Sequence, residues 1–203
     1  MSSENINKLA AIILAAGKST RMGDKNKLLL PFGDNTILGA VVSEVVKTDI
    51  DQIFIVTGNE ESRVRDAIAH DVKFIHNPDF ADGLSTSIKA GVGALSDEVG
   101  GVMILLGDMP FVSHEDLNAL IDVFDKGKII VPTHDGEIGN PLIFAAEFFD
   151  EFKSLDGDKG ARKLLVKHPD KITHVEISSA GIFTDVDNLQ AYEQAKVEYQ
   201  SPS

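Results

Sequence analysis

A cationic loop near the start of the chain carries the residues best suited to chemistry. Between positions 18 and 27 it holds four basic side chains and one acidic side chain, although the whole chain has a formal net charge of −13. Because the rest of the chain is acidic, a general basic bias does not explain this cluster. Glycines and basic side chains that follow an apolar strand are typical of an anion site, and a nucleoside triphosphate suits it best. The basic residues are Lys18, Arg21, Lys25 and Lys27.

Two common phosphate-binding motifs do not fit this loop. Gly17-Lys18-Ser19-Thr20 imitates the end of a Walker A loop, but Ile12 stands where that motif needs its first glycine. The dinucleotide fingerprint G-x-G-x-x-G also fails, because the glycine that follows Gly17 is Gly23. The sequence therefore predicts a longer phosphate loop that relies on basic side chains.

Composition limits the classes of protein. A chain of 203 residues with 43% hydrophobic content is long enough for one sizeable core, so we expect a single domain over residues 1–203. The chain has no long apolar run and a polar N-terminus, so we expect a cytoplasmic protein. Its acidic balance disfavours nucleic acid and anionic membranes as partners. Without cysteine, oxygen atoms are the expected metal ligands, and a bound triphosphate calls for Mg²⁺.

Apolar runs alternate with amphipathic stretches over the first two thirds of the chain, which predicts βαβ units and a doubly wound, mostly parallel α/β sheet. The predicted strands are 9–14, 52–57, 73–75, 102–106 and 129–132, and the predicted helices are 37–47, 60–70, 84–95 and 113–124. The last third breaks this alternation, so we expect an antiparallel element there. Its predicted strands are 142–144 and 172–177, and its predicted helices are 148–152, 159–167 and 189–200.

Two further segments place polar groups at strand ends. Asp108 follows the apolar strand 102–106, where a carboxylate can serve as a Mg²⁺ ligand, and the alternative is an aspartate of an ordinary turn. Asn77, Gly83 and Ser87 surround a predicted helix start, where backbone N–H groups and hydroxyls can contact a base or ribose. The alternative for these residues is helix capping.

The loop resembles the signature L-A-A-G-x-S-x-R-M-G, followed by K-L-L-L-P, of the nucleotidyltransferases that act on the molybdenum cofactor. The matching residues are Leu14, Ala15, Ala16, Gly17, Ser19, Arg21, Met22 and Gly23. The guanylyl branch usually has L-A-G-G, so Ala16 favours CTP over GTP. The resemblance implies a Rossmann-like nucleotidyltransferase fold and assigns most of these residues, with Lys25, Lys27, Asn77, Gly83 and Ser87, to the nucleotide. Either lysine could be the functional one, and Lys27 is preferred because it precedes the Leu-Leu-Leu-Pro run.

The same resemblance implies a metal site and an acceptor site. Asp108 matches the metal-binding aspartate, and one aspartate of Asp185-Val186-Asp187, with Asp187 preferred, would complete the site. Alternate residues of an extended segment point the same way, and the alternative for this pair is an ordinary turn or helix cap. Asn140, Pro141 and Arg162 match segments that shape the acceptor pocket in the C-terminal part. Asn140 replaces the usual histidine, which removes a titrating group.

The implied activity is Mg²⁺-dependent transfer of a nucleotidyl group from CTP to the phosphate of a molybdopterin-type acceptor, with Arg21, Lys27 and Asp108 as catalytic residues. The product would serve a molybdenum hydroxylase as client. Three alternatives remain open: a guanylyltransferase that uses GTP, a sugar-phosphate nucleotidyltransferase, and a non-catalytic carrier of the molybdenum cofactor.

Overall fold

The computed structural model describes residues 8–18, 25–157 and 160–200. Its strands are β1 (Leu9–Ala15), β2 (Pro31–Phe32), β3 (Asn35–Thr36), β4 (Gln52–Thr57), β5 (Lys73–His76), β6 (Gly101–Leu106), β7 (Ile129–His134), β8 (Glu137–Ile138), β9 (Leu142–Ala145) and β10 (Ile172–Glu176). Its helices are α1 (Ile37–Val45), α2 (Glu61–Asp66), α3 (Leu84–Gly93), α4 (His114–Asp122), α5 (Phe149–Phe152), α6 (Arg162–Lys167) and α7 (Leu189–Gln200). Among the described residues, no helix is long and apolar enough to cross a membrane.

The central sheet has the strand order β10-β7-β9-β6-β1-β4-β5, and β8 pairs with β7. Strand β1 is parallel to both β4 and β6, while β9 is antiparallel to both β6 and β7. The predicted mostly parallel α/β sheet with an antiparallel element in the last third is therefore confirmed. The antiparallel element comprises β9, which lies inside the sheet, and the short strand β8, which pairs antiparallel with β7.

Helices cover both faces of this sheet. All seven residues of β1 are buried, and alternate residues of this strand pack into two different cores. One core contains Ile13 and includes side chains of α1 and α4, and the other contains Ile12 and includes side chains of α3 and α6. A near-continuous apolar strand is what a sheet covered on both faces requires.

Several helices end earlier than the hydrophobic pattern predicts. Helix α2 ends at Asp66 rather than at His70, and α1 ends at Val45 rather than at Lys47. In both cases the last turn tightens to bonds between residues three apart, such as Ile68 N–H to the Arg65 carbonyl at 3.2 Å. Such tightening satisfies terminal carbonyls, and the periodicity of apolar residues does not reveal it.

Helix α7 closes the structure over the β2–β3 hairpin. The Tyr192 hydroxyl donates to the Pro31 carbonyl at 2.8 Å, and the ring of Tyr199 lies 4.5 Å from that of Phe32. Val186, just before α7, packs in the same small cluster as Phe32. The C-terminal segment is thereby held beside the chain that follows the cationic loop.

Candidate active site

A cleft of about 460 Å³ opens where β1 and β6 end. One wall is the turn that leaves β1 through Ala16, Gly17 and Lys18, and the opposite wall is the segment that enters α3. Parallel sheets commonly bind ligands at the carboxyl ends of their strands. The cleft is lined by Leu14, Ala16, Gly17, Lys18, Lys27, Leu28, Phe80, Ala81, Gly83, Leu84, Ser87, Leu106 and Asp108.

Gly107 allows the two strand ends to approach closely. Its N–H donates to the Leu14 carbonyl at 3.0 Å, and a Cβ at this position would lie 2.9 Å from the same oxygen. A larger residue would therefore separate β6 from β1. Asp108 follows directly, so this close approach places its carboxylate at the floor of the cleft.

Lys27 and two aspartates form the polar centre of the cleft. The Lys27 ammonium lies 2.5 Å from Oδ2 of Asp108 and 2.6 Å from Oδ1 of Asp187. The side chains of Lys27 and Asp108 are 16% and 15% exposed, whereas that of Asp187 is 35% exposed. The centre is therefore partly shielded from water and open on the Asp187 side.

A backbone bond and a buried side chain bring Asp187 and Asp185 to this centre. The Val186 N–H donates to the Asp108 carbonyl at 2.9 Å, and the Val186 side chain is fully buried. With Val186 anchored, the flanking aspartates project toward Asp108. One ligand oxygen from each of the three carboxylates lies within 4.8 Å of the other two.

The crowding of charges shifts two pKa values. Burial by itself favours a neutral Lys27, but the charges and hydrogen bonds of Asp108 and Asp187 outweigh burial and raise the pKa of Lys27 above its usual value. Partial burial, and then repulsion from Asp187 and Asp108, raises the pKa of Asp185 above its usual range. Like charges that crowd together favour binding of a cation.

The three carboxylates fit a hard divalent cation. Carboxylate oxygens are the ligands that Mg²⁺ and Mn²⁺ prefer, and Asp108, Asp185 and Asp187 offer them from one small region. The Lys27 ammonium already lies against two of them, which shows that this position attracts positive charge. The donor set and its charge thus suit a metal ion.

The other end of the cleft is built from Phe80 and Ala81, which follow β5, and from the start of α3. Gly83 adopts a φ of +107°, a conformation that L side chains rarely adopt, and it precedes the first turn of α3. Ser87 lines the cleft one turn further along. Asn77 is 2% exposed and lies behind this surface, where its amide bonds to Thr86 and Ser87.

The predicted acceptor residues Asn140, Pro141 and Arg162 do not line this cleft. The Asn140 N–H donates to the Ile182 carbonyl at 3.0 Å, so the segment before β9 is tied to the turn that leads to Asp185. One Arg162 nitrogen donates to the carbonyls of Ile138 and Gly139 at 3.2 and 3.4 Å. Pro141 is buried, and Asn140 is partly exposed. Arg162 thus holds the backbone that presents Asn140.

The other predicted site residues are distributed as follows. Of the two candidate lysines, Lys27 lies in the cleft and Lys25 is exposed. Ala15 is buried at the end of β1. Ser19 and Arg21 lie outside the described residues, so their roles stay predictions.

Two site residues go beyond the predicted set. Asp185 joins the carboxylates together with the preferred Asp187, whereas the sequence predicted that one aspartate of this pair would complete the site with Asp108. The Asp-x-Asp spacing was the signal for both. Phe80 lines the cleft, with the Lys18 ammonium 5.6 Å from its ring centre. No local pattern marked Phe80, because this contact joins two distant loops.

Comparisons with known proteins identify the family of this chain. The profile of the MobA-like NTP transferase domain matches residues 11–172. Molybdenum cofactor cytidylyltransferase of Escherichia coli K12 is 30% identical over 196 residues, which cover 96% of this chain and 98% of that protein. Purine catabolism protein PucB of Bacillus subtilis 168 is 31% identical over 198 residues, with coverage of 93% and 96%.

Two solved structures of Rv0371c have a fold similar to that of this chain. Rv0371c of Mycobacterium tuberculosis H37Rv has a TM-score of 0.84 at 28% identity, and the match covers 95% of this chain and 99% of that one. The complex of Rv0371c with manganese has a TM-score of 0.80 at 28% identity, with coverage of 94% and 98%.

Proposed function

Since this chain belongs to the MobA-like NTP transferase family and is a nucleotidyltransferase, we propose that it transfers CMP from CTP to the terminal phosphate of a molybdopterin-type acceptor. The products are a molybdopterin cytosine dinucleotide and pyrophosphate. One observation carries the proposal: Lys27 forms ion pairs with Asp108 and Asp187 in the cleft. The turn that contains Gly17, after β1, lines the same cleft.

The nucleotide occupies the cleft of about 460 Å³. Its triphosphate lies along the turn that includes Gly17 and Lys18, where backbone N–H groups and an ammonium oppose its negative charge. Its base lies toward Gly83 and Ser87. The choice of CTP is supported by Ala16 in the signature and by the cytidylyltransferase of E. coli.

A divalent metal ion held by Asp108, Asp185 and Asp187 neutralises charge on the reacting phosphates when it is bound. Mg²⁺ is the ion we propose. The manganese complex of Rv0371c supports a hard divalent cation in this fold. In this chain, the three clustered carboxylates support the same kind of ion.

The reaction needs no protein nucleophile. A terminal phosphate oxygen of the acceptor forms a bond to the α-phosphorus of CTP, and the bond from that phosphorus to the bridging oxygen breaks. The bridging oxygen keeps the electron pair and leaves with pyrophosphate. Lys27 stays protonated and stabilises the negative charge of the transition state, as Arg21 would from the cationic loop.

The acceptor approaches from the C-terminal side. Asn140 presents a side chain that both donates and accepts hydrogen bonds, and Arg162 fixes the backbone around it. The kinship with a purine catabolism protein supports a molybdenum hydroxylase of the xanthine dehydrogenase type as the enzyme that receives the product.

Pyrophosphate release tests the proposal. The purified chain is incubated with Mg²⁺ and molybdenum-loaded pterin phosphate, with CTP or GTP, and each reaction is repeated without acceptor and with Asp108→Asn. Acceptor-dependent release with CTP supports the proposal. Release with GTP alone refutes the choice of CTP, and binding of the pterin without release from either nucleotide indicates a carrier.

A further inference from the structure

Hydrogen bonds fix the short segment that leads from Lys27 to the β2–β3 hairpin. Lys27 begins a 3₁₀ turn, and its carbonyl accepts from the Leu30 N–H at 3.2 Å. The Leu30 carbonyl in turn accepts from the Ile37 N–H at 3.0 Å. Pro31 follows, and its ring restricts the backbone further. A displacement of the Pro31 carbonyl is therefore passed on to Lys27, at the other end of this segment.

A second set of hydrogen bonds fixes the start of α7 relative to Asp187. Asn188 follows Asp187 and caps the helix, since its side-chain oxygen accepts from the Ala191 N–H at 2.9 Å. The Asn188 carbonyl accepts from the Tyr192 N–H, also at 2.9 Å. Tyr192 is therefore held at a set distance from Asp187, within the first turn of α7.

The two segments are joined at both ends. At one end the Tyr192 hydroxyl donates to the Pro31 carbonyl at 2.8 Å, and Tyr192 is 7% exposed. At the other end the Lys27 ammonium lies 2.6 Å from Oδ1 of Asp187. The Asp187 side chain is 35% exposed, so packing around it restricts its position less than packing restricts Asp108, which is 15% exposed. The bond at the Tyr192 end therefore limits how far Lys27 and Asp187 can separate.

We propose that Tyr192 is a positioning residue that sets the separation of Lys27 and Asp187 and thereby holds the Lys27 ammonium against the reacting phosphates. This inference rests on the proposed function, which places those phosphates in the cleft. Tyr192 does not line the cleft, so it acts through Lys27 and Asp187. Positioning of this kind matters because a misplacement of about 1 Å in an active site can cost about 100-fold in rate.

The first test is a double-mutant cycle of thermal stability in EDTA, which needs no substrate. Tyr192→Phe removes only the hydroxyl, so it should lower the Tm by roughly 2–4 °C, as the loss of one hydrogen bond does in a domain of this size. In Lys27→Met the ion pair is already absent, so we expect the same substitution to lower the Tm by less. Sites that do not influence one another give additive effects instead.

Tyr199→Phe is the matched control for both tests. Tyr199 lies on the same helix, and its ring centre is 4.5 Å from that of Phe32 in the same hairpin. This ring contact does not require the hydroxyl. The effect of Tyr199→Phe on the Tm should therefore be the same in the wild-type chain and in Lys27→Met.

The second test is the rate of pyrophosphate release with CTP, Mg²⁺ and acceptor. A displaced Lys27 ammonium stabilises the transition state less, whereas the walls of the cleft that hold CTP stay in place. We therefore expect Tyr192→Phe to lower kcat about tenfold and to leave KM for CTP unchanged. A role in the fold alone would lower the Tm without lowering kcat, and Tyr199→Phe should change neither kcat nor KM.

Additive effects on the Tm, or an unchanged kcat in Tyr192→Phe, would overturn the inference. If Lys27→Met does not fold, Asp187→Asn takes its place in the cycle, because it also removes the ion pair. If the wild-type chain releases no pyrophosphate with CTP, the proposed function fails and the stability cycle alone decides the role of Tyr192. Coupled effects on the Tm then support the inference, and additive effects overturn it.

Discussion

The Lys27 ammonium offsets the repulsion within a group of carboxylates. Its removal should therefore lower the free energy of unfolding even without substrate. We expect Lys27→Met to unfold more easily than the wild-type chain in the presence of EDTA. Methionine keeps the length of the buried stem but cannot donate to Asp108 and Asp187 at 2.5 and 2.6 Å. Asp108 and Asp187 then lose the ammonium of Lys27, whose charge also acts on Asp185.

The size of the effect follows from the two bonds. A hydrogen bond to a charged group contributes about 1.5–3 kcal/mol, and the bond to Asp187 counts for less because that side chain is 35% exposed. We expect a loss of about 3 kcal/mol, which lowers the Tm of a domain of this size by roughly 6–12 °C. A divalent cation at about 100 times its Kd restores about 2.7 kcal/mol by linkage.

Thermal unfolding followed by circular dichroism, in EDTA and with added Mn²⁺ or Mg²⁺, measures both effects. The metal should raise the Tm of Lys27→Met more than that of the wild-type chain, because in the wild type the ammonium competes with the metal. Lys153→Met is the matched control, since Lys153 pairs on the surface with Asp150 and its loss should leave the Tm unchanged. Equal Tm values in EDTA, or equal metal-induced shifts, would refute the reasoning.

Three other substitutions test separate parts of the molecule. Asp108→Asn should lower kcat by about 1,000-fold or more in pyrophosphate release while far-UV circular dichroism stays unchanged. Arg162→Ala should raise KM for the acceptor and leave CTP binding by calorimetry intact. Burial acts to raise the pKa of Glu44, but hydrogen bonds from Lys47 and His114 outweigh burial and lower this pKa below its usual 4.5. The ionised Glu44 therefore stabilises the fold above pH 4.5, and this stabilisation is lost as the pH falls further. Urea unfolding should therefore show Glu44→Gln to be less stable than the wild type at about pH 7, and the difference should shrink as the pH falls below 4.5.

Local patterns located most elements of the fold. The predicted strand 52–57 coincides with β4, and the predicted strands 9–14 and 102–106 each fall one residue short of β1 and β6. These strands are apolar because both faces of the sheet are covered, so composition alone reveals them. The predicted helix 113–124 begins one residue before α4, at Ser113, which forms a capping box with Asp116. The C-terminal ends of α1 and α2 were predicted too late, because hydrophobic periodicity does not reveal a tightened last turn.

The sequence by itself determined the cationic loop, the position of Asp108 at a strand end, the family resemblance and the α/β alternation. Each of these depends on residues that are close together along the chain. Only the tertiary structure decided that Lys27 meets Asp108 and Asp187, which are 81 and 160 positions away, and that Asp185 joins them. The physical reason is that these contacts depend on packing between distant segments. Val186, for example, is buried against α7 and donates to the Asp108 carbonyl after β6, and such packing has no local signature.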